Sequence, residues 1–86
     1  MNGKEICKKA VDHFGFANQA DLAQEECAEL IVAINHCMRG RATVPEVCEE
    51  IADVEIMCMQ LRVMYGDDIV DRSKKAKLER LEMLME

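Results

Sequence analysis

The stretch ADLAQEECAELIVAINHCM, residues 20–38, decides the fold. It contains no glycine or proline, and its apolar residues recur every three or four positions. This spacing predicts one long helix from about Ala20 to Met38. Arg39-Gly40-Arg41 should end the helix, because basic side chains suit a helix C-terminus and glycine adopts positive φ easily.

The segment TVPE, residues 43–46, predicts the start of a third helix. Its threonine fits an N-cap, and its glutamate lies three residues later, as a capping box requires. Its proline falls in the first turn, where a missing N–H leaves no hydrogen bond unmade. This helix should run from about Val44 to Tyr65 and end at Gly66.

Two shorter helices are expected at the ends of the chain. The first should run from about Lys4 to His13 and stop at Gly15, with residues 16–19 leading into the second helix. The fourth should run from about Ile69 to Met85, with Asp67 or Asp68 as its cap. The expected fold is therefore all-α, with one domain over residues 1–86 in which four helices form a bundle of antiparallel neighbours.

Composition limits the classes of partner. The 86 residues carry a net charge of −6. An acidic chain is not expected to bind nucleic acid polymers or anionic membranes, since both attract a basic surface. No apolar run is long enough to span a bilayer and no charged-then-apolar leader opens the chain, so a cytoplasmic location is expected. A chain this short buries a limited core, which favours an oligomer.

The cysteines are odd in number and contain no C-x-x-C pair. This pattern is typical of small buried apolar side chains in a reducing compartment, not of disulfides or a zinc site. The five are Cys7, Cys27, Cys37, Cys48 and Cys58.

Acidic residues fall on the apolar sides of the two central helices. At about 100° per residue, Leu22, Leu30 and Ala33 lie within roughly 40° of Glu26, and Glu29 lies near 60°. On the third helix Glu50 is similarly centred among apolar residues, and Asp53 lies near 60° from it. Crowded, buried carboxylates are unfavourable unless something positive compensates them. Four carboxylates supply the oxygen ligands that Mg²⁺ prefers, with Mn²⁺ as an alternative.

Two other interpretations compete with a metal site. The glutamates could simply face water or pair with lysine and arginine, as charged helix faces usually do. A di-iron carboxylate bundle would need Glu-x-x-His on two helices, whereas the third residue after each glutamate here is Glu29 or Asp53.

The double motif resembles a known family. EECAEL, residues 25–30, followed by EIADV, residues 50–54, is similar to the E-E-x-x-E … E-x-x-D signature of MazG-like pyrophosphohydrolases. Asn18-Gln19 and KLERL, residues 77–81, resemble weaker flanking features. The resemblance implies a homodimeric or homotetrameric helical bundle that hydrolyses a (d)NTP to the (d)NMP and pyrophosphate with Mg²⁺ or Mn²⁺. A house-cleaning or phage-type enzyme would fit.

The resemblance also implies roles for single residues. Glu26, Glu29, Glu50 and Asp53 correspond to catalytic metal ligands, and Glu25 would support them or orient water. Lys77 and Arg80 are candidate phosphate contacts, with solvated surface charge as the alternative. Asn18 and Gln19 are candidate substrate contacts, and the aromatic side chains of His13, Phe14 and Tyr65 lie among those available for the base. A second hypothesis for the whole chain is a noncatalytic helical interaction or nucleotide-sensing module.

Overall fold

A computed structural model describes residues 1–86 as four helices with no strand. The helices are α1 (Gly3–Phe14), α2 (Phe16–Met38), α3 (Val44–Tyr65) and α4 (Asp67–Leu84). The predicted all-α class is confirmed. None of the four helices combines the length and the hydropathy that crossing a membrane requires.

The start of α3 follows the predicted chemistry. The Thr43 hydroxyl accepts a hydrogen bond from the Glu46 N–H at 3.3 Å, and the Glu46 carboxylate accepts one from the Thr43 N–H at 3.0 Å. This reciprocal capping box satisfies two backbone donors, and Pro45 occupies the first turn. The predicted bounds of α3 and its end at Gly66 are confirmed.

The predicted linker over residues 16–19 is wrong, because these residues form the first turn of α2. Gly15 adopts φ 93°, so the chain changes direction at a single residue. The helix is then held from its start: the Gln19 N–H donates to the Gly15 carbonyl at 3.1 Å, and the Asn18 side chain donates to the Phe14 carbonyl at 2.9 Å.

The predicted cap of α4 is also wrong, because Asp67 and Asp68 lie inside its first turn and Gly66 occupies the cap position. The Asp67 carboxylate is engaged elsewhere, accepting from Arg62 at 2.8 Å and pairing with Lys4 at 2.9 Å. These two cations lower the pKa of Asp67. The first residue of α4 is therefore tied to both α1 and α3.

Helices α1, α2 and α3 pack on one another, and α2 with α3 form the largest contact. The expectation that all four helices pack in one bundle is wrong, because only these three pack on one another. Helix α4 packs only on α3, near the turn that joins them, and reaches α1 through the Lys4–Asp67 ion pair; none of its residues is buried. The short connection at Gly66 places the start of α4 next to α3, but the rest of α4 does not pack along the other helices.

The core is small, with five buried residues in the whole chain. Cys7, Ala23 and Met57 are its apolar members. Gln19 and Gln60 are buried with them and satisfy each other, since the Gln19 amide donates to the Gln60 carbonyl oxygen at 2.7 Å. The interior between α2 and α3 therefore contains a matched polar pair.

The expectation that the cysteines are buried holds for Cys7 and is wrong for three others. Cys27, Cys48 and Cys58 are exposed, and Cys37 is intermediate. All five are free thiols. The exposed three lie on α2 and α3, on surface that no other part of this chain covers.

Candidate metal centre

Glu26 on α2 and Glu50 on α3 lie at the contact between the two central helices. Each side chain is half-buried, and the Oε2 atom of each is inaccessible to solvent without any hydrogen-bond partner. Buried polar atoms are normally paired, so two unpaired carboxylate oxygens in one place call for a compensating group. Glu26 reaches this position because it follows the buried Ala23 by one helical turn.

Glu29 joins these two side chains from the solvent side. One carboxylate oxygen each from Glu26, Glu29 and Glu50 lie within 4.8 Å of one another. Glu29 is exposed, one turn after Glu26 on α2. The structure thus brings together three of the four carboxylates that the helical spacing predicts, two from half-buried residues and one from an exposed residue.

Asp53 lies at the edge of this group. It is exposed and outside the set of three, but its negative charge contributes to raising the pKa of both Glu26 and Glu50. Glu25 is exposed and also lies outside the set. Asp53 therefore shares the electrostatic environment of the three glutamates, whereas Glu25 points away from them, as its angle of about 100° from Glu26 predicts.

Burial is the main cause of the raised pKa of Glu26, followed by the charges of Glu29 and Asp53. The pKa of Glu50 is raised by the same causes in the same order. Both groups therefore bind a proton more readily than a free glutamate does. The same environment favours any positive ion that approaches the carboxylate oxygens.

The protein supplies no cation of its own at this position. Helix α2 carries no lysine or arginine, and α3 carries only Arg62. The Arg62 guanidinium is engaged by Asp67 at 2.8 Å and by Asp71 at 2.6 Å, at the far end of α3. The carboxylates therefore lack an ion-pair partner, and Glu29 and Asp53 face water, as the solvated-face interpretation expects.

The donor set fits a hard divalent cation. It consists of carboxylate oxygens alone, with no histidine or cysteine among them. Oxygen donors suit Mg²⁺ and Mn²⁺, and the unpaired Oε2 atoms of Glu26 and Glu50 are where such an ion would remove an unfavourable interaction. Glu26, Glu29 and Glu50 could hold the ion directly, and Asp53 is placed to add to its electrostatic attraction.

The candidate substrate contacts at the start of α2 are not brought to the carboxylates. Gln19 is 5% exposed and hydrogen-bonded to Gln60 in the core. It precedes Glu26 by seven residues, about 10 Å along the helix axis. Asn18 is exposed, and its amide is bonded to the backbone of Phe14. Both side chains stabilise the fold at the α1–α2 end of the molecule.

Lys77 and Arg80 are also remote from the carboxylates of the same chain. They lie in the second half of α4, beyond the only segment of that helix that adjoins α3. The shallow depression that they line is formed by α4 residues alone. A role in binding phosphate at this site would require them to come from another copy.

The expected base-binding residues lie at the other end of the molecule. His13 packs edge-to-face on Phe14 with ring centroids 4.7 Å apart, and Phe16 packs similarly on Tyr65 at 5.1 Å. Tyr65 is the last residue of α3, three helical turns beyond Asp53. These aromatic side chains therefore pair with one another at the ends of the helices, away from the carboxylates.

A cavity of about 450 Å³ adjoins Glu29 and Glu50, and no motif in the sequence indicated it. Its remaining lining is small apolar side chains with one imidazole and two further carboxylates: Ala28, Val32, Ala33, His36, Ala42, Glu46 and Glu49. Helical spacing could have found it, because His36 follows Glu29 by two turns and Glu46 precedes Glu50 by one. The cavity lies on the side toward the α2–α3 loop, opposite to the expected pocket.

Comparisons with protein-family models, with curated proteins and with solved structures found no match for this chain. The features of the chain that bear on its function are three converging carboxylates, the absence of a protein cation beside them, and an adjoining cavity.

Proposed function

We propose that the chain is a Mg²⁺-dependent nucleoside triphosphate pyrophosphohydrolase of the MazG-like kind. The reaction would convert a (d)NTP and water to the (d)NMP and pyrophosphate. One observation carries the proposal: Glu26, Glu29 and Glu50 converge at the α2–α3 contact, with two oxygen atoms buried and unpaired. This arrangement is unfavourable for a structural protein and suited to a site that holds a cation and a triphosphate.

The residues of the site would have different roles. Glu26, Glu29 and Glu50, with Asp53 beside them, would hold Mg²⁺, with Mn²⁺ as an alternative. When bound, the ion supplies neutralisation of phosphate oxygens and a lower pKa for a coordinated water. A carboxylate of the group that is not engaged by the ion accepts the proton of the attacking water. The cavity beside Glu29 and Glu50 gives the nucleoside a place next to the phosphates.

The assembly and location are part of the same proposal. We infer a homodimer or homotetramer, because this chain buries so few of its residues. Five free cysteines favour the reducing cytoplasm.

The test is a panel of NTPs and dNTPs incubated with the protein and Mg²⁺, with pyrophosphate and orthophosphate measured separately. We expect pyrophosphate and the monophosphate, and a loss of at least about a hundredfold in rate for Glu50→Gln, since a metal ligand is removed. Glu55→Gln is the matched control, because Glu55 lies on the same helix, is exposed and is outside the cluster. Orthophosphate release would instead identify a phosphatase.

A noncatalytic interaction or nucleotide-sensing module is the second candidate. It is favoured by the remoteness of Lys77 and Arg80, the two phosphate contacts that the sequence predicts. Such a module would bind Mg²⁺ or nucleotide without turnover. A folded protein that releases neither product from any nucleotide in the panel would support it.

A further inference from the structure

The two central helices contribute different side chains to the cavity beside the carboxylates. The α2 wall consists mainly of small apolar side chains, with Val32 one turn before His36. The α3 wall presents three carboxylates, those of Glu46, Glu49 and Glu50. No lysine, arginine, amide or hydroxyl side chain lines the cavity. Apart from the His36 imidazole, every side-chain hydrogen-bonding group there is therefore a carboxylate.

The volume and the apolar wall suit a nucleobase. A cavity of about 450 Å³ falls within the range of small-molecule sites. Ala28, Ala33 and Ala42 leave open the space that longer side chains would fill, and Val32 is 50% exposed. A planar ring that packs on these side chains removes apolar surface on both partners from water. The cavity thus offers apolar contact to the faces of a base and carboxylates to its edge.

Glu49 is the one carboxylate of the cavity that has no other partner or role. Glu29 and Glu50 belong to the three glutamates that converge as candidate metal ligands. Glu46 accepts a hydrogen bond from the Thr43 N–H at 3.0 Å in the capping box. Glu49 is exposed, lies outside both groups and is next to Glu50 in the chain. Its carboxylate is therefore available to a ligand whose phosphates are held at the metal ligands.

A carboxylate accepts hydrogen bonds and donates none, which limits the bases that it can recognise. Guanine presents two adjacent donors on its Watson–Crick edge, N1–H and the 2-amino group, and can bond both carboxylate oxygens at once. Adenine and cytosine place an acceptor nitrogen beside their amino group, and thymine and uracil flank one N–H with two carbonyl oxygens. Those acceptors would lie against the negative charge. Guanine is therefore the common base that fits a lone carboxylate best.

We propose that this site selects guanine nucleotides, with the Glu49 carboxylate accepting hydrogen bonds from N1–H and from the 2-amino group. The His36 imidazole, on the other helix, is the one side-chain donor in the cavity that is available to the O6 acceptor of the same base. This preference rests on the proposed function, in which the cavity holds the nucleoside of the triphosphate.

The test is kcat/KM for pyrophosphate release from dGTP, dITP and dATP with Mg²⁺. The base of dITP is guanine without its 2-amino group, so this substrate lacks one hydrogen bond to a charged acceptor. We expect dGTP to exceed dITP by at least about tenfold, and dATP to be slower than both. Equal values for the three substrates would overturn the guanine preference while leaving the hydrolase activity established.

Glu49→Gln tests the residue itself. The amide offers one acceptor beside one donor, which matches the edge of adenine and opposes one of the two guanine donors. We expect kcat/KM to fall at least about tenfold for dGTP and to stay level or rise for dATP. Glu55→Gln is the matched control, because Glu55 is exposed on the same helix but does not line the cavity. An equal loss for all three substrates would contradict a contact between Glu49 and the base.

Binding decides the base preference if none of the substrates is hydrolysed, an outcome that would remove the proposed function itself. The same three nucleotides are then titrated into the wild-type chain with Mg²⁺ and followed by calorimetry. Tighter binding of dGTP than of dITP and dATP, lost in Glu49→Gln, would support the guanine contact. Equal binding of the three, or no binding, would overturn it.

Discussion

The two sides of the α2–α3 pair differ although the same helices form both. Glu29 and Asp53 lie on one side with no lysine or arginine beside them, whereas the groove on the other side is lined by uncharged residues, apolar except for one glutamine. Helix propensity does not require this separation, because glutamate forms helices well at any solvated position. Each side is instead unfavourable for an isolated chain, one through repulsion and one through exposed apolar area. Under the proposed function, a divalent cation relieves the repulsion on the charged side.

The largest expected effect concerns the charged side. If the carboxylates hold Mg²⁺, the ion should stabilise the folded protein by about 2.7 kcal/mol at a concentration one hundred times its Kd. Thermal melts with Mg²⁺ and with EDTA measure this. Glu26→Gln should abolish the response and, by removing one repelling charge, raise the melting temperature of the metal-free form. Identical melting curves with and without Mg²⁺ would show that the carboxylates do not bind the ion in the folded protein.

Gln19 and Gln60 lie between the same helices and are hydrogen-bonded to each other, unlike the unpaired Oε2 atoms of Glu26 and Glu50. Gln19 and Gln60 are buried and bonded to each other, so replacing either one with leucine leaves its partner unpaired. We expect each single variant to lose about 1–3 kcal/mol of stability and the double variant to lose much less. Urea unfolding of the four proteins as a double-mutant cycle gives the coupling. Additive losses would show that the two amides act independently.

The smallest effect is a pH dependence of the metal-free protein. The pKa values of Glu26 and Glu50 are raised in the folded state, so the folded protein binds protons more tightly there than the unfolded chain does. Their contribution to stability is therefore present below the unfolded value of about 4.3 and is lost as the pH rises through the higher folded values. Asp67, with a lowered pKa, acts in the opposite direction at more acidic pH.

Urea unfolding in EDTA, at a series of pH values from about 4.5 upward, measures how stability changes with pH. This range lies above the unfolded pKa of a glutamate. The free energy of unfolding of the double variant Glu26→Gln/Glu50→Gln should change less with pH across that range. A wild-type protein that gains stability with rising pH in the same window would contradict burial of these two carboxylates.

Local signals predicted the central part of the fold. Residues 43–46 contain their own hydrogen-bonding partners, so the start of α3 depends on nothing outside one turn. The positions of Glu26, Glu29 and Glu50 followed from the helical repeat, since 100° per residue determines which side chains share a side. Both inferences needed only that the helices form and that their apolar sides meet.

The errors concern features that local spacing does not determine. The direct entry into α2 depends on the positive φ of Gly15, which glycine permits but does not require. Asp67 resembles a cap in the sequence, but Lys4 and Arg62 engage it instead. The exposure of Cys27 depends on whether another chain covers it. The cavity at His36 depends on how α2 and α3 diverge toward their loop.

The Gln19–Gln60 hydrogen bond also determines the register of α2 on α3. Uncharged, mostly apolar positions recur every seven residues on both helices, so a slip of one heptad would still place such side chains opposite one another: Ala23, Leu30 and Cys37 on α2, and Val47, Val54 and Leu61 on α3. Such a slip would separate the two amides and break their hydrogen bond, which disfavours the alternative alignment. It would also move Glu26 about 10 Å from Glu50. One hydrogen bond in the core, remote from the carboxylates, thereby keeps them opposite each other.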